Sequence, residues 1–172
     1  MLRNEVRYTT VEKAIPANLL FESEKLGPPS LFGAGEYAKD GLIAVTEYLG
    51  RTPYFYRMVD MTADAMNQAP VDSHFGKLPA SDAELNGDYL QTLVRLALMT
   101  HDSRFLAWAR RIGDAYVDEV LPGTFGVPAY IWDFTKHTGD RKLKLRDHGN
   151  EMVVGLSLLY SLENYLNTPR AR

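Results

Sequence analysis

Apolar residues recur along the chain at the spacing of amphipathic helices, in stretches that come in pairs. The first stretch, AGEYAKDGLIAVTEYL, stops at Gly50, and a second, YFYRMVDMTADAM, follows after only a few residues. Thr52 and Pro53 mark the start of the second stretch, because threonine suits an N-cap and proline suits the first helical position. The pattern therefore predicts a helical hairpin over about residues 34–68.

A second pair of helical stretches appears about fifty residues further along. Leu90, Leu93 and Val94 belong to an apolar stripe, which is followed by the turn THDSR and the stretch FLAWARRIGDAYVDEV. Ser81 and Glu84 have the spacing of a capping box ahead of the stripe. A second hairpin is thus predicted over 82–120, and the two hairpins look like copies of one unit.

A third unit begins at RDHGNE, which directly precedes the apolar run MVVGLSLLYSLENYL. Its first helix is predicted to reach about Leu166, and Thr168 and Pro169 then repeat the Thr-Pro start signal of the first hairpin. We expect an incomplete third hairpin over 147–172. Each hairpin buries only one face unaided, so the chain is expected to be part of a larger helical array.

The connectors between the predicted hairpins are long and rich in aromatic residues. Loops of this length in a compact domain are usually functional or disordered, and the aromatic content favours the functional alternative. Alternating residues across 127–134 and 142–146 are compatible with a small β-hairpin.

Composition places the chain among soluble globular proteins. Its 172 residues are 45% hydrophobic and 24% charged, enough for a single domain over 1–172 with a core of its own. A formal charge of −3 and scattered basic residues argue against a nucleic-acid partner. The N-terminus lacks the apolar region of a signal peptide, and no apolar run is long enough to cross a membrane. We expect a soluble protein in a compartment that the sequence does not indicate.

Neither a metal nor a cofactor is expected. The absence of cysteine excludes disulfides and thiolate metal sites. The chain also lacks an HExxH pair, an Asp-rich calcium loop and a glycine loop that could hold phosphate.

Short turns at one end of the hairpins and long, aromatic, acidic loops at the other resemble the six-hairpin (α/α) toroid of carbohydrate-active enzymes. The resemblance is one of pattern and covers residues 34–172. It implies an all-α fold, an array of α/α hairpins that forms close to half of a toroid. It also implies a carbohydrate substrate, held between the long loops and the N-termini of the inner helices, and a second copy or a missing half of the same fold as partner.

Acidic groups gather at the three predicted inner-helix starts, and glycoside hydrolysis needs one protonated and one ionised carboxyl. Asp147 and Glu151 share a helical face, where their like charges separate the two pKa values. Four residues is a narrow span for both roles, so we expect one of them to act with Asp88 or Asp133. Asp88 lies beyond the first turn of its helix, where capping does not explain it, and the neighbouring Gly87 lowers the helix propensity, so we expect something to approach the helix closely there. The expected catalytic residues are Asp88, Asp147, His148 and Glu151, and the expected substrate contacts are Arg146, Asn150, Trp132, Asp133, Tyr130, His74 and Glu36.

Several of these residues also have a purely structural interpretation. Carboxylates are common in the first turn of a helix, where the dipole and free N–H groups stabilise them, so Glu36 and Asp147 could serve the helix alone. A tryptophan in a loop, such as Trp132, often anchors the loop to the core.

Two other functions remain open at this point. His148 and Asn150 are similar to the residues with which toroid polysaccharide lyases act on a uronate substrate, and Arg146 would hold the carboxylate of that substrate. A sugar epimerase is a related alternative. Helical hairpin arrays also serve as non-catalytic binding modules, although their loops are usually short at both ends.

Overall fold

Helices dominate the part of the chain that the computed structural model describes, namely residues 31–140, 142 and 150–169 without the side chains of 32–34. The all-α prediction is confirmed for these residues. Arg146, Asp147 and His148 lie outside them, as does all of the predicted strand 142–146 except Lys142.

The first two helical stretches are present where the pattern predicts them. Helix α1 (Leu31–Glu36) runs through a π-helical stretch (Tyr37–Leu42) into α2 (Ile43–Leu49). Gly50 ends α2 with a φ of 77°, which an L side chain rarely adopts. Helix α3 (Pro53–Asn67) then begins with proline in its first turn, as predicted.

The second pair of helices also follows the prediction, with one correction at its start. Helix α4 (Ala83–Thr100) is capped by Asp82, whose Oδ1 accepts a 2.8 Å hydrogen bond from the Leu85 N–H. The predicted box of Ser81 and Glu84 is therefore wrong by one residue. After a turn come α5 (Ser103–Asp114), a second π-helical stretch (Ala115–Val120) and the short α6 (Leu121–Gly123).

A two-stranded hairpin follows, formed by β1 (Trp132–Asp133) and β2 (Thr138–Gly139) in antiparallel register. The first strand lies within the predicted range, whereas the second comes earlier than the predicted 142–146. Asp133 explains the shift, because its carboxylate accepts hydrogen bonds from the N–H groups of Thr135 and Lys136 and so closes a tight turn.

The last helix, α7 (Glu151–Tyr165), packs along α4 in the largest helix–helix interface of the described residues. Gly87 makes this approach possible. A Cβ added there would lie 2.5 Å from the Glu151 carbonyl carbon and closer still to the Met152 nitrogen. The sequence-based expectation that something approaches closely at Gly87 is confirmed.

One hydrophobic cluster runs through all the long helices, with Leu90, Leu93, Ile112 and Met152 fully buried near its centre. No helix in the described residues is both long and apolar enough to cross a membrane.

Candidate active site around Lys39

Charged side chains from three helical segments meet where α7 begins. The Lys39 ammonium nitrogen lies 2.9 Å from Asp88 Oδ1, 3.3 Å from Asp40 Oδ1 and 3.7 Å from Glu151 Oε1. Lys39 and Asp40 belong to the first π-helical stretch, Asp88 to α4 and Glu151 to the first turn of α7. We call these four residues the Lys39 cluster.

Local backbone features bring the cluster together. The π-helical stretch Tyr37–Leu42 widens one turn of its helix, and such turns frequently occur at functional sites. Gly87 lets the first turn of α7 lie directly on α4, which brings Glu151 beside Asp88. The cluster therefore depends on one widened turn and one missing side chain.

Burial differs strongly among the three carboxylates. The Asp88 side chain is 1% exposed and that of Glu151 10%, against 65% for Asp40. Both oxygens of Asp88 and Oε2 of Glu151 are buried without a hydrogen-bond partner among the described residues. The contact between Lys39 and Asp88 is thus an ion pair by distance without the alignment of a hydrogen bond, and two buried carboxylates share a single cation.

Burial raises the pKa of Asp88 to about 6, against the opposing effect of the nearby Lys39 ammonium. The negative charges of Glu151 and Asp40 raise this pKa further. Burial lowers the pKa of Lys39, but the carboxylates of Asp88 and Asp40 outweigh it, and the net pKa of Lys39 is raised. Lys39 is therefore a permanent cation near neutral pH, whereas Asp88 can carry a proton.

A polar cavity of about 240 Å³ opens beside the cluster. Asp88 is not among its lining residues, since the Asp88 side chain is buried. Gln91 is fixed at the cavity by a 3.1 Å hydrogen bond from its Nε2 to the Glu151 carbonyl oxygen, and Arg95 lies 3.7 Å from Glu47. The lining residues are Lys39, Asp40, Gln91, Arg95, Asn150, Glu151 and Val154.

A larger groove of about 700 Å³ lies elsewhere, between α5 with its π-helical continuation and α7. Its walls include Val117, Leu156, Leu159 and Tyr160, and they are mainly apolar. The groove is also lined by Asp114, Asp118 and Glu163, but the Glu163 carboxylate is engaged by an ion pair with Arg110. Among the described residues, Asp88 and Glu151 are therefore the stronger candidates for acid–base chemistry.

The structure brings together only part of the predicted site. Asp88, Glu151 and Asn150 meet at or beside the polar cavity, which places a carboxylate of the third unit near Asp88.

Trp132 and Asp133 do not join this cavity. The Trp132 ring is buried against Gly123, and its Nε1 donates a 2.6 Å hydrogen bond to Glu119. The expected substrate contact of Trp132 therefore gives way to the structural interpretation, in which its ring anchors the loop to the core. Asp133 closes the loop turn, and the hydrogen bond and charge of Lys136 lower its pKa, which is the wrong direction for a proton donor.

Tyr130, His74 and Glu36 also lie away from the cavity. The Tyr130 hydroxyl donates a 3.2 Å hydrogen bond to Glu84 Oε2, and its backbone pairs with Ala83 at the start of α4. His74 is exposed, with its ring against Phe75. Glu36 ends α1 instead of starting a helix, because the helix already begins at Leu31.

Sequence reasoning missed Lys39, Gln91 and Arg95. A signal for two of them existed, since Asp88, Gln91 and Arg95 follow one another at helical spacing and form a polar stripe on the otherwise buried helix α4. Lys39 had no such signal, because its position depends on how two helices pack.

The pH dependence of stability provides a test of this electrostatic picture. A carboxyl with a pKa of 3.8 when unfolded and about 6 when folded binds its proton first in the folded state, so the folded state gains stability as pH falls from 7 towards 4. We expect Asp88 to contribute about 1 kcal/mol to the difference in unfolding free energy between pH 7 and pH 5. In urea unfolding, the free energy of unfolding at pH 5 minus that at pH 7 should be about 1 kcal/mol lower in Asp88→Asn than in wild type. The same quantity should be unchanged in Asp72→Asn, whose carboxylate is exposed. Equal pH dependence in wild type and Asp88→Asn would contradict the assignment.

No group of three or more histidine or acidic side chains in the described ranges is arranged to hold a metal ion. No family model matches the chain, and the comparisons with curated proteins and with solved structures likewise returned no match.

Proposed function

We propose that this chain carries the acid–base centre of a glycoside hydrolase, with Glu151 as the ionised carboxylate and Asp88 as the proton donor. One observation carries the proposal: two buried carboxylates from different helices share one ammonium beside a polar cavity. Their environments differ, and such a difference separates an acid from a base.

Glu151 has the features of the ionised partner. It lines the cavity, it lies within ion-pair distance of Lys39, and it occupies the first turn of α7, where the helix dipole favours a negative charge. In glycoside hydrolysis this carboxylate attacks the anomeric carbon or activates the attacking water.

Asp88 has the features of the proton donor, because its pKa of about 6 leaves a useful fraction protonated near neutral pH. Its side chain is buried in contact with the Lys39 ammonium and does not line the cavity, so delivery of the proton to a leaving oxygen requires a side-chain movement, for which the flexible Lys39 is suited. Asp40, which already lines the cavity, is the alternative donor, and variants separate the two.

The two carboxylates lie too close together for most of the range found in inverting glycosidases, which fits a retaining mechanism better. Asp88 Oδ1 and Glu151 Oε1 lie 2.9 and 3.7 Å from the same nitrogen, so they are no farther apart than these two distances combined. Retaining glycosidases hold their carboxyls about 5–5.5 Å apart, against roughly 6.5–9.5 Å in inverting ones.

A uronate lyase is the second candidate, and a specific observation supports it. The cavity is lined by the cations Lys39 and Arg95 and by the amide of Asn150, which together could neutralise a substrate carboxylate. His148, the proposed proton acceptor in this alternative, lies outside the described residues.

One panel of neutral and uronate-containing oligosaccharides tests both functions. Release of reducing sugar without an unsaturated product supports the hydrolase, and ultraviolet absorbance from an unsaturated uronate supports the lyase. Absence of both signals would contradict an enzymatic role and favour a helical-array binding module.

Variants of the cluster then identify the residues at work. If the hydrolase proposal is correct, we expect Glu151→Gln to lower kcat/KM by about a hundredfold, because acid–base or nucleophilic assistance is lost while the side-chain volume is kept.

Aryl glycosides with good leaving groups identify the acid, because they should restore turnover to the variant that lacks it. Restoration in Asp88→Asn supports Asp88, and restoration in Asp40→Asn alone supports Asp40. Asp72→Asn is the control, and full activity in Glu151→Gln would overturn the proposal.

A further inference from the structure

Among the residues that the structure describes, the Lys39 cluster has fewer cations than buried anions. Lys39 is the one ammonium shared by Asp88 and Glu151, and the nearby Asp40 adds a third negative charge at the surface. Arg95, the other cation that lines the cavity, lies 3.7 Å from the Glu47 carboxylate. With both buried carboxyls ionised, the buried part of the cluster would carry a net negative charge.

Such a charge is costly in a buried site unless a proton or a cation neutralises it. Three buried oxygens, both of Asp88 and Oε2 of Glu151, also accept no well-aligned hydrogen bond from the described residues, and the Lys39 ammonium 2.9 Å from Asp88 Oδ1 is the donor close to Asp88. A proton on one carboxyl lowers the charge and supplies a donor at the same time. Asp88 is the better proton acceptor, because it is the more deeply buried and because Glu151 has the N-terminus of α7 to stabilise its anion.

We infer that Lys39 is a positioning residue whose ammonium lowers the pH at which the Asp88–Glu151 pair releases its proton to solvent. Without the ammonium, the two carboxylates would face each other unscreened, and Asp88 would stay protonated through the neutral range. The inference rests on the proposed function for its catalytic meaning, but the charge state can be measured without any substrate.

A nuclear magnetic resonance titration tests this inference directly. Aspartate labelled with ¹³C at the side-chain carboxyl is incorporated, and the Asp88 signal is identified by its loss in Asp88→Asn. We expect Lys39→Met to move the Asp88 titration midpoint upwards by about one pH unit or more, since a cation within 4–6 Å typically lowers a carboxyl pKa by 1–3 units. Lys39→Arg should return the midpoint towards the wild-type value.

A second neutral variant, Lys39→Gln, keeps the test decisive if Lys39→Met does not fold. An unchanged Asp88 midpoint in whichever folded neutral variant is measured would overturn the inference, as would a Lys39→Arg midpoint equal to that of the neutral variants. A purely structural lysine would alter the melting temperature without moving the midpoint.

The outcome also separates this inference from the proposed function. A shifted midpoint in a protein without hydrolase activity supports the role of Lys39 and rejects the hydrolase. Hydrolase activity with an unshifted midpoint supports the hydrolase and rejects the role of Lys39. Where both hold, the alkaline limb of the pH profile of kcat/KM should move upwards in Lys39→Met by the same amount as the Asp88 midpoint.

Discussion

Replacing Gly87 with alanine is expected to destabilise the fold by about 3 kcal/mol or more, at the upper end of the usual cost of overpacking. The added Cβ would meet the backbone of α7, at 2.5 Å from the Glu151 carbonyl carbon and 2.8 Å from the Glu151 Cβ. Backbone atoms cannot rotate out of the way, so α7 as a whole would have to move off α4. Urea unfolding measures the loss, and thermal unfolding should show a fall of about 2–4 °C per kcal/mol for a chain of this size.

Two other glycines provide matched controls for Gly87→Ala. Gly155→Ala places its Cβ 3.0 Å from the Leu90 side chain, which can shift, so the loss should be clearly smaller. Gly41→Ala meets nothing within 4 Å and should be neutral or stabilising by up to about 1 kcal/mol, because alanine favours helix. If Gly87→Ala were as stable as Gly155→Ala, the close contact between α4 and α7 would be refuted.

Arg110→Met is expected to cost about 3 kcal/mol, because it removes one partner of a buried ion pair. Arg110 on α5 binds Glu163 on α7 with two hydrogen bonds, from Nε at 2.6 Å and from Nη2 at 3.0 Å. The Glu163 side chain is only 3% exposed, so the variant removes the guanidinium that binds both oxygens of a buried carboxylate. The loss of unfolding free energy is measured in urea at pH 7.

A double variant and a surface variant give this measurement its controls. Arg110→Met combined with Glu163→Met removes both charges, and it should recover most of the lost stability, because apolar replacement of a whole buried pair is often neutral. Arg104→Met breaks the exposed contact with Asp102 and should have a much smaller effect. A double variant less stable than Arg110→Met alone would contradict this account of the pair.

Local sequence signals predicted the helices well, because the relevant physics is local. Thr52 and Pro53 stand at the start of α3 as predicted, although the Thr52 hydroxyl accepts no capping hydrogen bond, whereas Asp102 caps α5 through its side chain. The error at Ser81 has the same local origin. Asp82, one residue later, has the extended backbone and the short carboxylate that a cap needs.

The candidate site was predictable only in part, because it is formed by contacts between helices. Asp88 stood out because capping does not explain it, and Glu151 because it shares a helical face with Asp147, while Gly87 indicated a close approach beside Asp88. Lys39 looked like an ordinary surface lysine, because its burial arises from the packing of the π-helical stretch against α4 and α7. Trp132 shows the opposite error, since the sequence could not reveal that Glu119 and Gly123 would cover its ring.

The described residues that line the polar cavity all stand on α4, on α7 with its cap, or on the π-helical stretch, and none belongs to a loop. Groups held by helices lose little conformational freedom when a ligand arrives, so binding here should carry a small ordering entropy. Such a site distinguishes its ligands by the fixed positions of donors and acceptors. It cannot wrap itself around whichever molecule enters.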